Sequence, residues 1–508
     1  MKSPASEPAG AAPPAAEDDP NARAWREYYR RARMPPAHPQ ARDFLHADLI
    51  EALRRLIPDD ATVLEAGSGS GRLLAALPNL RKAGIDYLPE AVEEARAAYP
   101  DIAFTVADAT RPATAAAAAL GAGSRAGLPR GSEQPARFDA IVCDRLCHSV
   151  TDIRALLESL RARLNPGGRI YLSAFNFLWE LPSRLAERAG WKQAAPEANW
   201  LSDHDFKNLF DIAGLEVVRY EDRLLLPMEI PGVSPWLNRY VARLPGVQTL
   251  SLYRIYVLRD RGLPSVRRAA SVSVIVPTRN EAGNVEAAIQ RTPVMGDSTE
   301  LIFVEGGSTD GTWQTIQECL ARYRVRLRLS AYQQSGKGKG DAVRLGFEQA
   351  TGDLLMILDA DLTVPPEDLP AFYEVAVRGQ ADYVQGTRLV YPMEKNAMRF
   401  LNKLGNVAFS QLFTYLLRQP IRDTLCGTKV LWRHDYQRLA AARHYFGDFD
   451  PFGDFDLIFG AARLNLKIVE IPVRYRDRTY GETNISRWKH GLLLLRMSAV
   501  AAQKLRFV

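Results

Sequence analysis

The feature that most constrains the fold is an alternation of short apolar strands with helical stretches, which occurs twice along the chain. The first series begins at Val63 and the second at Val272. Such alternation is typical of doubly wound α/β domains, in which helices connect the strands of a mostly parallel sheet. At roughly 100 to 200 residues per domain, a chain of 508 residues has room for both units. The sequence therefore predicts two α/β domains.

Shifts in composition divide the chain further. The first 21 residues are rich in Ala, Pro, Glu and Asp, without the basic start or apolar centre of a signal peptide, so we expect a disordered tail. A polar stretch with Gly and Pro separates the two strand series and is typical of a linker. The predicted organisation is a tail over 1–21, a first domain over 22–260, a linker over 261–270, a second domain over 271–485 and a basic, apolar helix over 486–508.

Composition excludes several classes of protein. Apolar residues make up 47% and charged residues 24%, which is ordinary for soluble globular proteins and excludes collagen-like or coiled-coil chains. The 4 cysteines form no paired CxxC motifs, which argues against a disulfide framework or a structural zinc site and favours the reducing cytoplasm. The net charge of +6 favours anionic partners. Nucleic acid is not expected among them, because no basic stripe is interleaved with aromatic residues.

A glycine-rich turn follows the first strand of the first domain. Its residues are Glu65, Gly67, Ser68, Gly69 and Gly71. The next strand ends at Asp86, whose carboxylate can accept hydrogen bonds from two ribose hydroxyls. Backbone N–H groups of such a turn, at a helix N-terminus, bind several nucleotide-type ligands. These features alone fit a dinucleotide and S-adenosylmethionine equally well.

Later motifs of the first domain separate these two ligands. They are Val106-Ala107-Asp108-Ala109 after the third strand, Phe138 to Asp144 at the fourth, and Leu164 to Arg169 before the fifth. Together with the glycine-rich turn, they resemble the class I S-adenosylmethionine-dependent methyltransferases. The resemblance implies a Rossmann-like methyltransferase fold and S-adenosylmethionine as the cofactor.

The resemblance also implies roles for individual residues. The five residues of the glycine-rich turn would contact the methionine part of the cofactor. Asp86 and Tyr87 would contact its ribose and adenine, and Asp108 with Ala109 would contact the adenine edge. No motif identifies the methyl acceptor. A base is needed only if the acceptor atom carries a proton, and the candidates are Asp144, His148 and His204.

The second domain contains a different set of motifs. They are Val276 to Glu281 after its first strand, Glu305 to Thr312 after its second, Lys339 to Arg344, and Asp359-Ala360-Asp361 after an apolar strand. The combination resembles the GT-A glycosyltransferases of family 2 over nearly all of 271–485. The resemblance implies a GT-A fold and a nucleotide-sugar donor, either UDP- or GDP-linked.

Two aspartates at the end of a buried strand suit the chemistry of such a donor. The diphosphate leaving group needs a divalent cation or fixed cations to neutralise the charge that develops on it. Carboxylate oxygens at this position can bind Mg²⁺ or Mn²⁺ while the diphosphate completes the coordination shell. We therefore predict Asp361 as a direct metal ligand, and Asp359 as a contact to the metal or to the donor ribose.

The glycosyltransferase resemblance assigns further residues to the donor. Those that would line the nucleoside pocket are Pro277, Arg279, Glu281 and Glu305. Lys339 would approach the donor phosphate. Many relatives have Asp in place of Glu305, and this difference leaves the preferred nucleoside open.

The distal half of the second domain narrows the subgroup. Its motifs are Gly386 to Arg388, Asp423 to Lys429, Phe455-Asp456 and Asp477 to Thr483. They resemble the polyprenyl-phosphate sugar synthases of the dolichyl-phosphate mannosyltransferase type. By this resemblance, Arg388 and Arg478 would bind donor or acceptor phosphate. A lipid-phosphate acceptor is already anionic and needs no strong base, whereas a sugar hydroxyl would need one, and the residues in position for that are Asp454 and Asp456.

The leading hypothesis is a bifunctional enzyme. It transfers a sugar, with inversion and metal dependence, to a polyprenyl-phosphate-like lipid or a glycan, and it methylates a related glycan, lipid or metabolite. The alternative is a glycosyltransferase with a sugar-hydroxyl acceptor, whose first domain binds S-adenosylmethionine only as a regulatory module.

Two segments combine apolar residues with basic ones. They are 399–417 and 486–508. Neither reaches the roughly 20 uninterrupted apolar residues of a spanning helix, but both suit a helix at a membrane surface. The alternative is that both pack on the domain or form a dimer interface. We expect a cytoplasmic protein that binds the inner face of the cell membrane.

Overall fold

The protein is described here by a computed structural model. It covers residues 20–31, 39–111, 137–190, 193–196, 198–262, 270–323, 327–388, 400–443, 454–476, 480 and 495–506. The chain divides into two compact units, and the main division along the sequence falls between Asp260 and Arg261. Each unit contains one sheet with helices around it, so the predicted α/β class is confirmed.

The first unit contains a seven-stranded sheet with the order β3-β2-β1-β4-β5-β7-β6. Its strands are β1 (Val63–Ala66), β2 (Lys82–Asp86), β3 (Ala103–Val106), β4 (Phe138–Asp144), β5 (Leu164–Phe175), β6 (Leu215–Arg223) and β7 (Tyr253–Asp260). β1 to β5 pair in parallel, whereas β7 runs antiparallel to β5. The carboxyl ends of β1, β2 and β4 therefore lie side by side at one edge of the sheet.

Eight helices are described in the first unit. They are α1 (Pro20–Arg31), α2 (Pro39–Leu56), α3 (Arg72–Ala76), α4 (Pro89–Ala98), α5 (Ile153–Ala162), α6 (Glu180–Arg188), α7 (Asp203–Ile212) and α8 (Val233–Arg239). Local sequence explains where several of them begin. The Asp152 carboxylate caps α5 by accepting a hydrogen bond from Ala155 N at 2.8 Å. Ser202 and Asp205 form a reciprocal capping box at the start of α7.

The second unit also contains a seven-stranded sheet, with the order β10-β9-β8-β11-β13-β12-β14. Its strands are β8 (Val272–Thr278), β9 (Thr299–Glu305), β10 (Arg328–Gln333), β11 (Leu354–Ile357), β12 (Tyr383–Thr387), β13 (Lys429–Trp432) and β14 (Ile468–Pro472). β13 runs antiparallel to both of its neighbours, β11 and β12. The start of β13 therefore lies at the same edge as the end of β11.

Helices cover both faces of this second sheet. They are α9 (Ala282–Arg291), α10 (Thr312–Arg322), α11 (Lys339–Gln349), α12 (Leu369–Val377), α13 (Phe400–Leu417), α14 (Arg433–Ala441) and α15 (Asp454–Arg463). Because side chains alternate along a strand, Val274 of β8 packs in one hydrophobic core and Ile275 packs in the other.

The C-terminal segment packs differently from the prediction of a membrane-surface helix. Residues 495–501 are helical, and the turn Ala502–Arg506 continues the helix. Met497, Ala501 and Leu505 are buried in a hydrophobic core of the second unit. These three apolar side chains therefore cannot contact a bilayer, which corrects the prediction for this part, while 486–494 lie outside the described residues. Over the residues that the structure describes, no helix combines the length and the apolar character needed to cross a membrane.

Candidate active sites

The glycine-rich turn of the first unit is shaped by left-handed backbone. Gly67, Gly69 and Gly71 have φ angles of 76°, 50° and 77°, a conformation that other residues rarely adopt. An added Cβ at Gly71 would also lie 2.5 Å from the Phe104 ring. Gly67 N donates a hydrogen bond to Ile85 O at 2.8 Å, which fastens the turn to the end of β2. The turn therefore needs glycine for both conformation and space.

Three carboxylates lie close together near this turn. Glu65 belongs to β1, Asp86 ends β2 and Asp144 ends β4. Glu65 is only 4% exposed, and its Oε2 atom has no hydrogen-bond partner among the described residues. Burial, together with the negative charges of Asp144 and Asp86, raises the pKa of Glu65 well above its usual value. This site therefore has an excess of negative charge at the end of β1.

The chemistry of the site fits a cofactor that carries positive charge. S-adenosylmethionine has a sulfonium and an ammonium group, and either can neutralise a buried carboxylate. A buried carboxylate with only one hydrogen-bonded oxygen, as in Glu65 with its backbone bond from Leu74, destabilises a protein unless a ligand or a proton compensates its charge. Glu65 and the glycine-rich turn are thus the residues that would contact the methionine part.

Asp86 is oriented by the backbone. Its Oδ2 atom accepts a hydrogen bond from Gly69 N at 2.8 Å, and its Oδ1 atom accepts one from Leu88 N at 2.9 Å. These two hydrogen bonds fix the direction of the carboxylate, and its predicted contact with the ribose remains a prediction. The neighbouring Tyr87 is half-buried, and the Arg26 guanidinium of α1 lies 5.4 Å from its ring centre. Both residues lie at the edge of the sheet that carries the glycine-rich turn.

Asp108 and Ala109 follow β3 at the same edge. The Asp108 carboxylate accepts hydrogen bonds from Thr110 N at 2.9 Å and from Thr110 Oγ1 at 2.7 Å. Ala109 is buried. Asp108 thus shapes the turn after β3, and its predicted contact with adenine remains a prediction.

The three candidate bases differ in their surroundings. Asp144 is ion-paired with Arg145 and accepts a hydrogen bond from Ser173 Oγ at 2.5 Å. Burial alone would raise the pKa of Asp144. The ion pair with Arg145 and the hydrogen bond from Ser173 outweigh burial, so the pKa is lowered and this carboxylate is a weak proton acceptor. In His148, Nε2 accepts a hydrogen bond from Phe175 N and Nδ1 lies 2.7 Å from Asn199 O, so both ring nitrogens contact the backbone. His204 is 3.3 Å from Asn208 on α7.

Sequence reasoning missed Tyr29, which lies on α1. Its hydroxyl is hydrogen-bonded to Ser149 and lies in the electrostatic field of Arg145 and Asp144. Burial raises the pKa of Tyr29. Only the cluster of Trp25, Tyr28 and Tyr29 in an otherwise polar segment could have indicated that α1 packs close to this site.

In the second unit, Asp359 lies at the end of β11 among positive charges. Lys339, the first residue of α11, places its Nζ 2.6 Å from Asp359 Oδ1. Burial would raise the pKa of Asp359, but Lys339, followed by Lys429 and Arg388, lowers it below its usual value. Asp359 is therefore an ionised carboxylate surrounded by cations.

The backbone at Gly427 lies directly against this ion pair. A Cβ atom at Gly427 would be 2.0 Å from Asp359 Oδ2 and 2.5 Å from Lys339 Nζ. Gly427 precedes β13, whose first residue, Lys429, is fully buried and donates a hydrogen bond to Cys426 O. The antiparallel direction of β13 thus adds a buried cation to the site.

Asp361 lies two residues after Asp359 in the sequence. Its Oδ1 atom accepts hydrogen bonds from Thr363 Oγ1 at 2.8 Å and from Thr363 N at 3.2 Å. The intervening Leu362 has a left-handed φ of 53°, which bends the chain sharply here. Within the described ranges no group of three or more acidic, His or Cys residues forms a complete metal cage. The oxygen atoms of Asp359 and Asp361 fit a hard cation whose remaining ligands come from a bound diphosphate.

Arg388 follows the end of β12 and forms a two-point ion pair with Asp423. Its Nε and Nη2 atoms lie 2.7 and 2.8 Å from the two carboxylate oxygens, and its guanidinium lies 5.1 Å from the Tyr475 ring centre. Asp423 thus fixes the direction of Arg388, which the sequence had assigned to phosphate. Arg478 lies outside the described residues.

The predicted nucleoside pocket lies where β8 and β9 end. Thr278 pairs with Glu305 in the sheet, which brings Pro277 and Arg279 close to the end of β9. Glu305 is buried and accepts hydrogen bonds from Ser308 N at 2.5 Å and from Gln333 Nε2 at 3.3 Å. The structure therefore brings these predicted residues together.

Glu281 is buried at the start of α9, and its Oε2 atom accepts a hydrogen bond from Asn284 Nδ2 at 2.7 Å. Tyr480 lies nearby, although no single signal in the sequence placed it there. Its hydroxyl is 3.3 Å from Asp310 Oδ2, and a Cβ at Gly283 would lie 2.7 Å from its ring. Tyr480 therefore packs against the loops that carry the predicted nucleoside-binding residues.

Asp456 lies on α15 in contact with two arginines. Arg344 Nη2 is 2.6 Å from Asp456 Oδ2, and Arg443 Nε is 3.7 Å from the same atom. The carboxylate is thus engaged in ion pairs, which does not favour its predicted role as a base. Asp454 is the first residue of α15, and its side chain lies outside the described part of the structure.

Comparison with known families identifies one matching domain in each of the two units. Residues 39–220 match a family model described as a methyltransferase domain, and residues 273–439 match the model of glycosyl transferase family 2. The dolichol-phosphate mannosyltransferase of Pyrococcus furiosus is 29% identical over 221 residues, which cover 42% of this chain and 59% of that protein. The undecaprenyl-phosphate 4-deoxy-4-formamido-L-arabinose transferase of Pectobacterium carotovorum is 27% identical over 221 residues, which cover 42% of this chain and 63% of that protein. The chain thus spans less than two thirds of the length of either relative.

A solved structure, an S-adenosylmethionine-dependent methyltransferase from Thermotoga maritima, is 17% identical with a TM-score of 0.34 and covers 47% of this chain and 99% of that one. The range matched by the methyltransferase family model, 39–220, contains strands of the first sheet, and the range matched by the glycosyltransferase model, 273–439, contains strands of the second. The chain therefore joins a methyltransferase domain to a glycosyltransferase domain of family 2.

Proposed function

We propose that the chain is a bifunctional transferase. The glycosyltransferase domain, over 271–485, transfers a sugar from a UDP- or GDP-linked donor to a polyprenyl-phosphate-like lipid by a single inverting displacement. The methyltransferase domain, over 22–260, transfers a methyl group from S-adenosylmethionine to a related glycan, lipid or metabolite. The observation that carries the glycosyl transfer is the cluster of Lys339, Lys429 and Arg388 around Asp359.

The cation cluster supports a diphosphate-containing donor. Lys339, Lys429 and Arg388 provide cations that a diphosphate can contact, although Asp359 and Asp423 already pair with part of this charge. Asp359 and Asp361 would bind Mg²⁺ or Mn²⁺, which neutralises the leaving diphosphate. Lys339 would contact the donor phosphate.

The surroundings of Asp456 support a lipid-phosphate acceptor. A sugar hydroxyl must lose a proton during transfer, but Asp456 is engaged by Arg344 and Arg443. A phosphate monoester has a second pKa of about 6 and is largely dianionic near neutral pH, so it attacks without a base. The names of the two relatives, which act on dolichol phosphate and undecaprenyl phosphate, support the same acceptor class.

The excess of negative charge at Glu65 supports S-adenosylmethionine binding in the methyltransferase domain. The low pKa of Asp144 and the engaged ring of His148 favour an acceptor whose attacking atom carries no proton that must be removed. Binding by itself does not establish transfer, so the regulatory-module alternative is decided by product analysis.

The test combines both reactions in one protein. Full-length protein is incubated with polyprenyl phosphate, Mn²⁺ and either UDP- or GDP-sugars, and released nucleoside diphosphate is measured. Mass spectrometry of the lipid product, with and without S-adenosylmethionine, then shows whether a methyl group is added. Glycosyl lipid without a methylated product, despite cofactor binding, would support the regulatory module. Nucleoside diphosphate release only with sugar acceptors would overturn the lipid-phosphate assignment.

A further inference from the structure

The residues between α13 and β13 border the glycosyltransferase site without forming a helix or a strand. We call residues 422–428 the Asp423 loop. Asp423 and Gly427 are buried, although they lie outside regular secondary structure. Buried backbone N–H and C=O groups need hydrogen-bond partners wherever they lie. The position of this loop therefore depends on the groups that supply those partners.

Glu470 of β14 supplies partners for the start of the Asp423 loop. Its Oε2 atom accepts a hydrogen bond from Arg422 N at 2.8 Å, and its Oε1 atom accepts one from Asp423 N at 3.1 Å. Gln385 of β12 completes the arrangement, because its Nε2 atom donates to Glu470 Oε1 at 2.8 Å and to Asp423 O at 3.2 Å. Glu470 and Gln385 together thus hold both the N–H and the C=O group of Asp423.

The register of the sheet sets where Glu470 lies. Gln385 pairs with Glu470 on one side and with Lys429 on the other. Side chains of residues that pair directly lie on the same face of a sheet. Lys429, Gln385 and Glu470 therefore form a row across three strands, in which Gln385 and Lys429 are fully buried. Glu470 is thus an anchor that the sheet holds in place independently of the loop.

Asp423 connects this anchor to Arg388. Its backbone is held by Glu470 and Gln385, while its fully buried side chain binds Arg388. Besides the two-point ion pair, the Asp423 carboxylate accepts a hydrogen bond from Arg388 N at 3.0 Å. Arg388 also contributes to the lowered pKa of Asp359, so its guanidinium lies within electrostatic reach of the predicted metal site. A shift of the Asp423 backbone would therefore redirect Arg388 at this site.

The rest of the Asp423 loop is packed closely. A Cβ atom at Gly386 would lie 2.6 Å from Cys426 Sγ, so the loop lies directly against β12. Its far end is Gly427, whose backbone lies against Asp359. Displacement of the loop would therefore change its contacts with Asp359 as well as the direction of Arg388.

We propose that Glu470 is a positioning residue for glycosyl transfer, which holds the Asp423 loop by its backbone and thereby directs Arg388 towards the donor diphosphate. Glu470 does not touch the reacting groups and acts through Asp423. This inference rests on the proposed glycosyl transfer and deepens it, because it adds a residue that lies 47 positions after Asp423 and outside the predicted site.

Kinetics of the full-length protein test the proposal in a double-mutant cycle. Release of nucleoside diphosphate gives kcat and the KM for the nucleotide sugar in Glu470→Ala, in Arg388→Lys and in the double variant. Lysine keeps a charged partner for the buried Asp423 but lacks the rigid fork that Asp423 directs. We expect Glu470→Ala to lower kcat/KM about tenfold in the parent and less than about threefold beside Arg388→Lys, because residues that act through one another are not additive. Effects that simply multiply would overturn the proposal.

The separate kinetic constants distinguish positioning from a loss of stability. A smaller folded fraction would lower kcat and leave the KM for the nucleotide sugar unchanged. We expect Glu470→Ala to raise this KM, since a misdirected Arg388 contacts the donor diphosphate less well. A lower kcat with the KM of the parent would overturn the proposal.

Glu300 on β9 offers a matched control in the same sheet. Its Oε1 atom accepts hydrogen bonds from Thr351 N at 2.7 Å and from Ser273 Oγ at 2.5 Å, so it also fastens a turn to a strand. This turn precedes β11 and lies at the edge of the sheet opposite to Asp359. Glu300→Ala should unfold at a lower urea concentration than the parent but keep the KM of the parent. An equal rise in KM in both alanine variants would contradict the proposal.

The milder variant Glu470→Gln keeps the test valid if Glu470→Ala does not fold. Its amide oxygen can still accept hydrogen bonds from Asp423 N and Gln385, so only the bond from Arg422 N is lost. We expect a KM between those of the parent and the alanine variant. A glutamine variant that is as impaired as the alanine variant would contradict the proposal.

Failure of the proposed function has a different result. A parent that releases no nucleoside diphosphate with any donor overturns glycosyl transfer itself. The same variants are then compared by titration calorimetry with UDP and with GDP, each in the presence of Mn²⁺. Glu470→Ala should weaken binding in the parent and have little effect beside Arg388→Lys, and unchanged binding of both nucleotides by Glu470→Ala would overturn the positioning role.

Discussion

Glu65 is a buried carboxylate and Asp359 a partly buried one, and each lies near the carboxyl end of a strand in a mixed sheet, yet their surroundings are opposite. Glu65 lies near Asp86 and Asp144, and burial with this repulsion raises its pKa. Asp359 contacts Lys339 and lies near Lys429 and Arg388, which lower its pKa despite burial. Glu65 thus lies among other carboxylates, of which Asp144 is paired with Arg145, whereas Asp359 lies among cations, of which Arg388 is paired with Asp423.

The direction of the strands contributes to this difference. In the methyltransferase domain, β1, β2 and β4 are parallel and bring only strand ends to the site. In the glycosyltransferase domain, the antiparallel β13 brings its first residue, Lys429, to the edge where β11 ends. The antiparallel direction of β13 alone places the Lys429 ammonium near Asp359.

The largest expected effect comes from Asp361→Ala. We expect glycosyl transfer to fall by at least about 1,000-fold, because the metal loses a direct ligand and no longer neutralises the leaving diphosphate. Methyl transfer should be unchanged, because Asp361 belongs to the other sheet. Release of nucleoside diphosphate measures the first activity and transfer of labelled methyl the second, with Glu374→Gln as a surface control. Turnover that resists a chelator would argue against the metal assignment.

The variant Asp423→Asn tests the ion pair between Asp423 and Arg388 in the glycosyltransferase domain. Asp423→Asn leaves the buried Arg388 without its two-point partner, and loss of one member of such a pair costs about 3 to 5 kcal/mol of stability. Urea unfolding followed by a probe in this domain measures the loss. The matched control, Glu367→Gln, breaks an exposed pair with Arg291 and should cost at most about 1 kcal/mol. Similar losses in both variants would show that Arg388 does not depend on Asp423.

In the methyltransferase domain the variant Glu65→Gln removes a carboxylate that repels its neighbours, whereas Asp423→Asn removes the partner of a paired charge. A carboxyl with a raised pKa in the folded state contributes stability that is present at low pH and is lost as pH rises through the folded-state pKa. The variant should therefore melt at a higher temperature than the parent near neutral pH when no cofactor is bound. Its affinity for S-adenosylmethionine should fall by about 1.5 to 3 kcal/mol.

The parent should bind the cofactor more weakly as pH falls through the raised pKa of Glu65, and Glu65→Gln should flatten this dependence. Titration calorimetry across pH measures both. A variant that keeps full affinity, or keeps the pH dependence of the parent, would contradict a contact between Glu65 and the cofactor.

The smallest expected effect is that of Asp86→Ala. It should weaken cofactor binding by about 1 to 3 kcal/mol, because a charged acceptor for the ribose hydroxyls is lost while the negative charge of Glu65 remains. Calorimetry with S-adenosylmethionine and with its demethylated product, adenosylhomocysteine, should show similar losses for both ligands, since both contain the ribose. Unchanged affinity for either ligand would refute the ribose contact.

Both domain types could be predicted from the sequence, because motifs at the ends of strands have fixed spacing. The glycine-rich turn and Asp359-Ala360-Asp361 each follow an apolar run that defines a buried strand. β13 and β14 were not predicted, although β11, which precedes the Asp359-Ala360-Asp361 motif, is as short as β13. The packing of α1 against the methyltransferase site was missed because it joins Tyr29 to residues more than 100 positions away, such as Ser149.

Contacts between distant positions could not be predicted at all. The ion pair of Asp456 joins it to Arg344, which is 112 residues earlier in the chain. Such pairs depend on how helices pack after the strands are in place, and a single sequence contains no signal for that. The predicted roles of Asp454 and Arg478 concern side chains outside the described structure and stay predictions.

Gly427 has a consequence for how sequence variants of this protein are interpreted. It has no functional group, and no motif of catalytic residues would include it. Yet a single methyl group at this position would come within 2.5 Å of both Asp359 and Lys339, so that one or both side chains must shift. An alanine at position 427 would therefore disturb the geometry of this ion pair while every charged residue is retained.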